Sequence, residues 1–257
     1  MHTFAVYNLK GGVGKTAAAV NLAFLAARDG LRTLLWDLDP QGAASWYFRV
    51  DPHVDGGAGR LIGHKKELAH AVKTTDHARL DIVPADFSYR NLDLELLDTK
   101  KPHKRLRRML EPLAGDYDLV LLDCAPSISL ASESVFHAAD ALLVPIIPTH
   151  LSLRAYDQVA QFVRSQQDLA LDLMPFFSMV DRRRLLHKEL VTAFAAGHAE
   201  LLRSFIPYAS EVERMGSHRA PLGAYAPACA PARAFEALWA AIRTRRPDLP
   251  PAAAGDA

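Results

Sequence analysis

Residues 8–17 read NLKGGVGKTA and set Gly11, Gly12 and Gly14 immediately before Lys15 and Thr16. Glycines at these positions let backbone N–H groups curl around phosphate oxygens. A helix starting near Lys15 would aim its unsatisfied amides at the same oxygens. Lys15 then places a mobile charge on the terminal phosphates, and the Thr16 hydroxyl suits a magnesium ion. The general phosphate-loop pattern asks for glycine, four residues, then Gly-Lys-Ser/Thr, and Leu9 occupies its first glycine position. A glycine-rich turn with only a structural role needs neither Lys15 nor Thr16.

Three carboxylates extend the pattern. Asp123 ends the apolar run YDLVLLD, where a strand-terminal aspartate would hold the water shell of the magnesium ion. Asp37 and Asp39 follow a second apolar run at i and i+2, a spacing that points both side chains the same way in extended chain. Like charges gathered near two lysines imply a metal or an attacking water between them. A dinucleotide site is the competing reading: Gly12, Gly14 and Ala17 match G-x-G-x-x-A, and Asp37 falls 20 residues after Ala17. Lys15, Thr16 and Asp123 weigh against it, because they suit a triphosphate with metal.

These residues need strands to carry them. Strands are predicted over Thr3–Leu9, Arg32–Trp36, Leu80–Val83, Tyr117–Leu122, Ala141–Ile147 and Leu171–Ser178. Helices are predicted over Thr16–Arg28, His64–Lys73, Asn91–Leu97, Lys104–Leu113, Ser129–Ala138, Ser152–Asp168, Arg184–Ala196 and Ala232–Arg246. The strands are continuously apolar rather than alternating, as in sheets covered on both faces by crossover helices. The expected fold is α/β: a doubly wound, mainly parallel sheet with helices on both faces, of the phosphate-loop NTPase type. Ligands of such folds sit beyond the carboxyl ends of the strands, where the glycine loop, Asp37 and Asp123 would gather. Residues 1–246 are expected to form a single domain, and residues 247–257 a flexible tail.

Composition narrows the class. Of 257 residues, 50% are hydrophobic and 23% charged, which excludes bulk disorder. The net charge is +1 and neither half is a basic tail, so any DNA contact must come from a local patch. Cys124 and Cys229 are too few for a disulfide scaffold and fit a reducing compartment, so a cytoplasmic protein is expected. No run is apolar and long enough for a membrane span, and the N-terminus enters a strand without a secretory leader.

Lys10 ahead of GGVGKT, DLDPQG at 37–42 and DCAPS at 123–127 together resemble the ParA/Soj/MinD family of deviant Walker ATPases, the ParA/Soj branch above all. IVPA at 82–85, AADALLVPI at 138–146 and VDRRRLLHKEL at 180–190 extend the resemblance over nearly the whole chain. It implies an ATPase that turns ATP into ADP and phosphate slowly, needs Mg2+, and forms a homodimer when ATP-bound. Gly11, Gly12, Val13, Gly14, Lys15, Thr16 and Ala17 would hold the phosphates. Lys10 would reach across the dimer to the partner's phosphates, and Thr16 and Asp123 would attend the metal. Asp39 would position the hydrolytic water with Asp37 in support, and residues 37–45 and 124–130 would be the switch regions. Asp181 and Arg183 would order the adenine pocket or dimer contacts.

The same resemblance implies nonspecific DNA binding at the nucleoid and release by a ParB-like activator, in plasmid or chromosome partitioning. Arg182, Arg184, Lys188, Arg203, Arg214 and Arg219 are the candidate DNA contacts. A second cluster, Lys100, Lys101, Lys104, Arg105, Arg107 and Arg108, reads equally as a solvated helical face. Tyr208, Glu211 and Glu213 stand where relatives commonly carry basic residues, which leaves open a cargo other than DNA, such as a protein assembly. Ala17, Ala43 and Ala44 are further departures that leave the expected magnesium ligand in place, and Cys124 and Ala125 are departures that would alter switch strength without abolishing it. A nicotinamide oxidoreductase and an inactive DNA-binding relative complete the alternatives. Residues 247–257 lack the basic amphipathic helix needed for membrane attachment, and an iron–sulfur cluster shared between subunits is disfavoured by the position of Cys229.

Overall fold

The computed structural model describes residues 1–63 and 67–252. Along the chain it places β1 (His2–Val6), α1 (Lys15–Arg28), β2 (Thr33–Asp37), α2 (Ala43–Tyr47), α3 (Gly57–Gly63), α4 (Glu67–Ala71), β3 (Lys73–Thr74) and β4 (Leu80–Val83). There follow α5 (Leu92–Leu97), α6 (Arg105–Leu110), β5 (Leu119–Asp123), α7 (Leu130–Ala138), β6 (Ala141–Ile146) and α8 (His150–Ser165). The chain continues through β7 (Asp172–Val180), α9 (Leu185–Gly197), β8 (Leu202–Pro207), α10 (Ser210–His218), α11 (Leu222–Tyr225) and α12 (Ala230–Arg245).

The strands form one sheet in the order β3-β4-β2-β5-β1-β6-β7-β8, parallel except for the β3–β4 pair. Successive residues feed opposite faces: Val120 and Leu122 of β5 join the core under α5–α8, whereas Leu119 and Leu121 join the core under α1 and α12. Both cores are closed to solvent, which explains why these strands are apolar throughout rather than at alternate positions. The fold is the expected doubly wound α/β sheet.

Strand order reverses around β1, which lies between β5 and β6. The crevice at such a reversal is where open α/β sheets bind ligands. The loops after β1, β2 and β5 open onto it, each carrying part of the predicted chemistry.

Several boundaries differ from the sequence reading for identifiable reasons. β1 stops at Val6, because the Asn8 side chain takes over the hydrogen bonding with the neighbouring strand's end and donates to Pro145 O at 2.8 Å. The predicted helix over Lys104–Leu113 is a short α6 between 3-10 turns at Pro102–Lys104 and Glu111–Leu113, since each proline removes a helical donor. Of the predicted His64–Lys73 helix, Glu67–Ala71 is helical, Lys73 belongs to β3, and residues 64–66 lie outside the described residues. β3, β8, α2, α3, α10 and α11 lie outside the strands and helices predicted from sequence. In the segment expected to fray, Leu249 is buried against the α1/α12 core and Asp248 pairs with Arg246 at 2.7 Å. Residues 253–257 lie outside the described residues.

Candidate nucleotide site

The loop between β1 and α1 is built for close approach by a ligand. Gly12 and Gly14 have φ of +71° and +91°, a region that costs other residues strain. A Cβ on Gly14 would also lie 2.9 Å from Ser178 Oγ at the end of β7. Gly14 caps α1 without a side-chain bond, so the first amides of this 14-residue helix are left to face the loop. The loop is braced from beneath by Asn8, fully buried, whose Oδ1 accepts the Lys10 N–H at 2.9 Å. Sequence reasoning passed over Asn8; the signal was a polar residue where an apolar strand meets the glycines.

Lys15 is buried, with 7% of its surface exposed, and its Nζ lies 3.5 Å from Lys10 O. Burial pulls its pKa below the ordinary lysine value, while Asp123, Cys124 and Asp39 pull the other way. Those influences bring part of the predicted group together in space: Asp123 at the end of β5 and Asp39 in the turn after β2 act on the lysine of the β1 loop.

Asp37 and Asp123 are register partners in the parallel β2–β5 ladder and neither is exposed to solvent. Asp37 Oδ2 accepts the Ser45 N–H and the Ser45 hydroxyl, both at 2.8 Å, whereas its Oδ1 has no partner. Both carboxylate oxygens of Asp123 are buried without a hydrogen bond. Burial raises the Asp37 carboxyl to about 6, against the lowering influence of the Ser45 bonds. Burial also pushes Asp123 well above the ordinary carboxylate range, and the Asp37 charge adds to it. The nearby Thr16 hydroxyl and Lys15 pull Asp123 down, Thr16 without closing a hydrogen bond of normal geometry.

Three unpartnered carboxylate oxygens beside a threonine hydroxyl form a hard-oxygen donor set, which suits Mg2+. Thr16 and Asp123 are the residues that would hold the ion, with Asp37 oriented beside them. When bound, such an ion would neutralise charge on the phosphates and carboxylates.

Asp39 is half-buried in the turn after β2, where its Oδ1 accepts the Gln41 N–H at 3.0 Å. It is not on the strand, so the extended i, i+2 arrangement expected with Asp37 is replaced by a turn. Its charge still acts on Lys15, Asp37 and Asp123. Behind the metal corner, the Tyr7 hydroxyl donates to Ser127 O at 2.6 Å and ties the end of β1 to the loop after β5.

The remaining candidates divide. Asp181 receives a bidentate Arg183 guanidinium at 2.9 and 3.0 Å just beyond β7, and this pairing holds its carboxyl near 2. The pair lies a few residues beyond Ser178, whose hydroxyl is beside Gly14. Arg184 and Lys188 are exposed at the start of α9, and Arg182 lies 4.9 Å over the Phe205 ring. Arg214 is exposed on α10, but Arg203 sits near the amino end of β8, the far end of that strand from α10. Arg219 is engaged, its guanidinium 4.0 Å over Trp46. In the second basic cluster Arg105 is buried and donates to Ile62 O, so that cluster is not one solvated face. Glu211 and Glu213 occupy the first turn of α10, where acidic side chains complement the helix dipole.

Among the described residues, no group of three or more histidine, cysteine, aspartate or glutamate side chains is gathered to hold a metal by itself, and no helix is long and apolar enough to cross a membrane.

Comparison with known proteins places the chain in a family. Residues 1–174 match the family model described as AAA domain. The chain is 30% identical over 229 residues to the sporulation initiation inhibitor protein Soj of Bacillus subtilis, covering 87% of this chain and 90% of that protein. It is 31% identical over 265 residues to the chromosome partitioning protein ParA of Caulobacter vibrioides, covering 96% of each. Among solved structures, cobyrinic acid a,c-diamide synthase of Mycobacterium smegmatis with bound ATP analogue and magnesium superposes with a TM-score of 0.80 at 25% identity, over 96% of this chain and 94% of that one. With its glycine loop, its sheet order and these relatives taken together, the chain belongs to the ParA/Soj family of partitioning ATPases.

Proposed function

We propose that this protein is a Mg2+-dependent ATPase that dimerises when it holds ATP, binds DNA without sequence choice in that state, and serves plasmid or chromosome partitioning with an activating partner. The observation that carries this reading is a rim of exposed apolar side chains around the phosphate loop. Ile128, Leu151 and Leu185 are 68%, 71% and 69% exposed. Each lies five residues past the end of its strand, β5, β6 or β7, on the carboxyl edge that also carries the loop after β1. Large apolar groups in that number at one edge mark a surface that another protein covers. Lys10 lies in the loop after β1, the strand between β5 and β6, and its ammonium has no hydrogen bond or ion pair among the described residues.

A second copy, applied across the rim, would cover the apolar groups and bring its own Lys10 to the phosphates. A cation supplied only by the partner stabilises charge on the transferring phosphoryl group only in the dimer, so ATP binding and association are thermodynamically linked. Lys15 and the α1 amides bind the phosphates, Thr16 and Asp123 hold the metal, and Asp39 orients water. Asp181 and Arg183 border the base.

Arg184, Lys188 and Arg214 supply the exposed cations for a phosphate backbone, doubled in the dimer. Such contacts confer affinity without sequence choice and weaken steeply with salt. The test is DNA binding across a salt series with ADP, with ATP, and with ATP plus Lys10→Ala. The ATP form is expected to bind at least tenfold more tightly than the other two at low salt, and equal affinity of the ATP and ADP forms rejects the DNA switch.

A further inference from the structure

Ser45 is held more firmly than its place on a one-turn helix requires. It is fully buried. Its N–H and its hydroxyl both donate to Asp37 Oδ2 at 2.8 Å, and its Oγ accepts the Ala85 N–H at 2.9 Å. One hydroxyl thus joins the end of β2, the turn of α2 and the chain leaving β4. With Oδ2 gripped by two donors, the oxygen that Asp37 has left is Oδ1, buried and unpartnered, on a residue in register with Asp123.

The next residue reaches the opposite way. The Trp46 indole N–H donates to Gly216 O at 3.1 Å, and Arg219 donates through Nε to Trp46 O at 3.2 Å while its guanidinium covers the ring at 4.0 Å. Arg49 adds a bond from Nη2 to His218 O at 3.2 Å. Arg219 ends α10 in the left-handed region, φ +48°, a conformation that these contacts offset.

We propose that Ser45 is a positioning residue of the nucleotide site, orienting Asp37 so that Oδ1 serves the Asp123 corner and tying that corner, through Trp46 and Arg219, to the end of α10. The inference rests on the nucleotide reading given above. A carboxylate gripped at one oxygen cannot swing, and partners that orient the groups around a metal typically change metal affinity 10–100-fold when removed. α2 is too short to be stable by itself, so it is placed by what holds its two sides: Asp37 through Ser45 and α10 through Trp46. Adjacent residues of one helical turn move together. Because the carboxylate cannot turn away from Ser45, any displacement of Asp37 on metal uptake carries Ser45 with it and moves the Trp46 ring against Arg219.

Trp46 is half-exposed, whereas Trp36 and Trp239 are buried, which makes it a local reporter. The experiment titrates Mg2+ into protein holding a non-hydrolysable ATP analogue and follows heat and tryptophan emission, with Trp46→Phe assigning the emission. In the unsubstituted protein, Mg2+ is expected to shift an emission band that Trp46→Phe removes. Ser45→Ala is expected to weaken Mg2+ binding at least tenfold and abolish the shift, and Ser45→Thr, which keeps the hydroxyl, to restore both. Arg219→Ala is expected to abolish the shift from the other end of the clasp, and it decides the matter if Ser45→Ala does not fold. Mg2+ affinity within twofold of the unsubstituted protein in Ser45→Ala, or an intact emission shift in Arg219→Ala, overturns the proposal alone. An unsubstituted protein that takes up neither analogue nor Mg2+ overturns the nucleotide reading and this proposal together.

Discussion

Asp37 and Asp123 face each other in register at the carboxyl ends of β2 and β5, fully buried, with three of their four carboxylate oxygens lacking a partner. Two like charges in such a position are unfavourable unless a cation or a proton lies between them. Their arrangement gives the nucleotide-free protein a testable weakness.

Both carboxyls are raised in the folded state by burial, Asp37 from 3.8 to about 6 and Asp123 well above the ordinary carboxylate range. The stability associated with their protonated forms is therefore complete below the unfolded carboxyl value and is lost as pH rises through about 6. Thermal melts of nucleotide-free protein should show a falling melting temperature between about pH 5 and pH 7. Asp123→Asn should flatten that slope and raise stability at pH 7 by roughly 1–3 kcal/mol, or about 2–4 °C per kcal/mol for a chain of this size. The same substitution should abolish Mg2+-dependent ATP hydrolysis. A melting temperature at pH 7 lower than that of the unsubstituted protein would contradict the electrostatic account.

Gly14 meets two obstacles to substitution. Its φ of +91° strains an alanine, and the new Cβ would lie 2.9 Å from Ser178 Oγ. Gly14→Ala is expected to cost about 1–3 kcal/mol of stability and to reduce nucleotide affinity at least tenfold. Adding Ser178→Gly should recover part of the stability, because it removes the contact but leaves the backbone strain. Calorimetric melts and ATP-analogue titrations of the single and double variants measure both effects.

Asp86 offers a contrasting case away from the phosphates. Burial alone would raise its carboxyl, but bonds from the Ser88 hydroxyl, the Val54 N–H and the Ser88 N–H outweigh that and lower it. A depressed carboxyl contributes stability above the unfolded value of 3.8 and loses it as pH falls through its own lower value. Asp86→Ala should cost about 1–3 kcal/mol at pH 7, with the difference shrinking in acid-denaturation curves below about pH 4.

The chemistry of the phosphate loop was legible because it depends on contiguous residues: three glycines, Lys15 and Thr16 keep their order whatever the rest of the chain does. Leu80–Val83 was legible to the residue because a short apolar run is bounded by turns. Elements held by distant contacts were not. α2 has no amphipathic pattern of its own and exists because Asp37 and α10 hold Ser45 and Trp46, and β8 carries two polar positions in six because it lies at the sheet edge. Arg219 read as a free surface cation, since nothing in the order of residues announces Trp46 beside it, 173 positions away. Glu211 and Glu213 read as a reversal of surface charge, and their place in the first turn of α10 lets them complement the helix dipole as well.

The proposed linkage of ATP binding to association runs through the apolar rim and Lys10. Light scattering of the protein during size exclusion, with ATP analogue and Mg2+, with ADP and Mg2+, and with analogue plus Lys10→Ala, tests it most directly. Twice the monomer mass is expected for the first sample and the monomer mass for the other two, with Ile128→Lys also reverting the first to monomer. Monomer mass with ATP analogue and Mg2+ at saturating nucleotide, or a dimer equally populated with ADP, would contradict it.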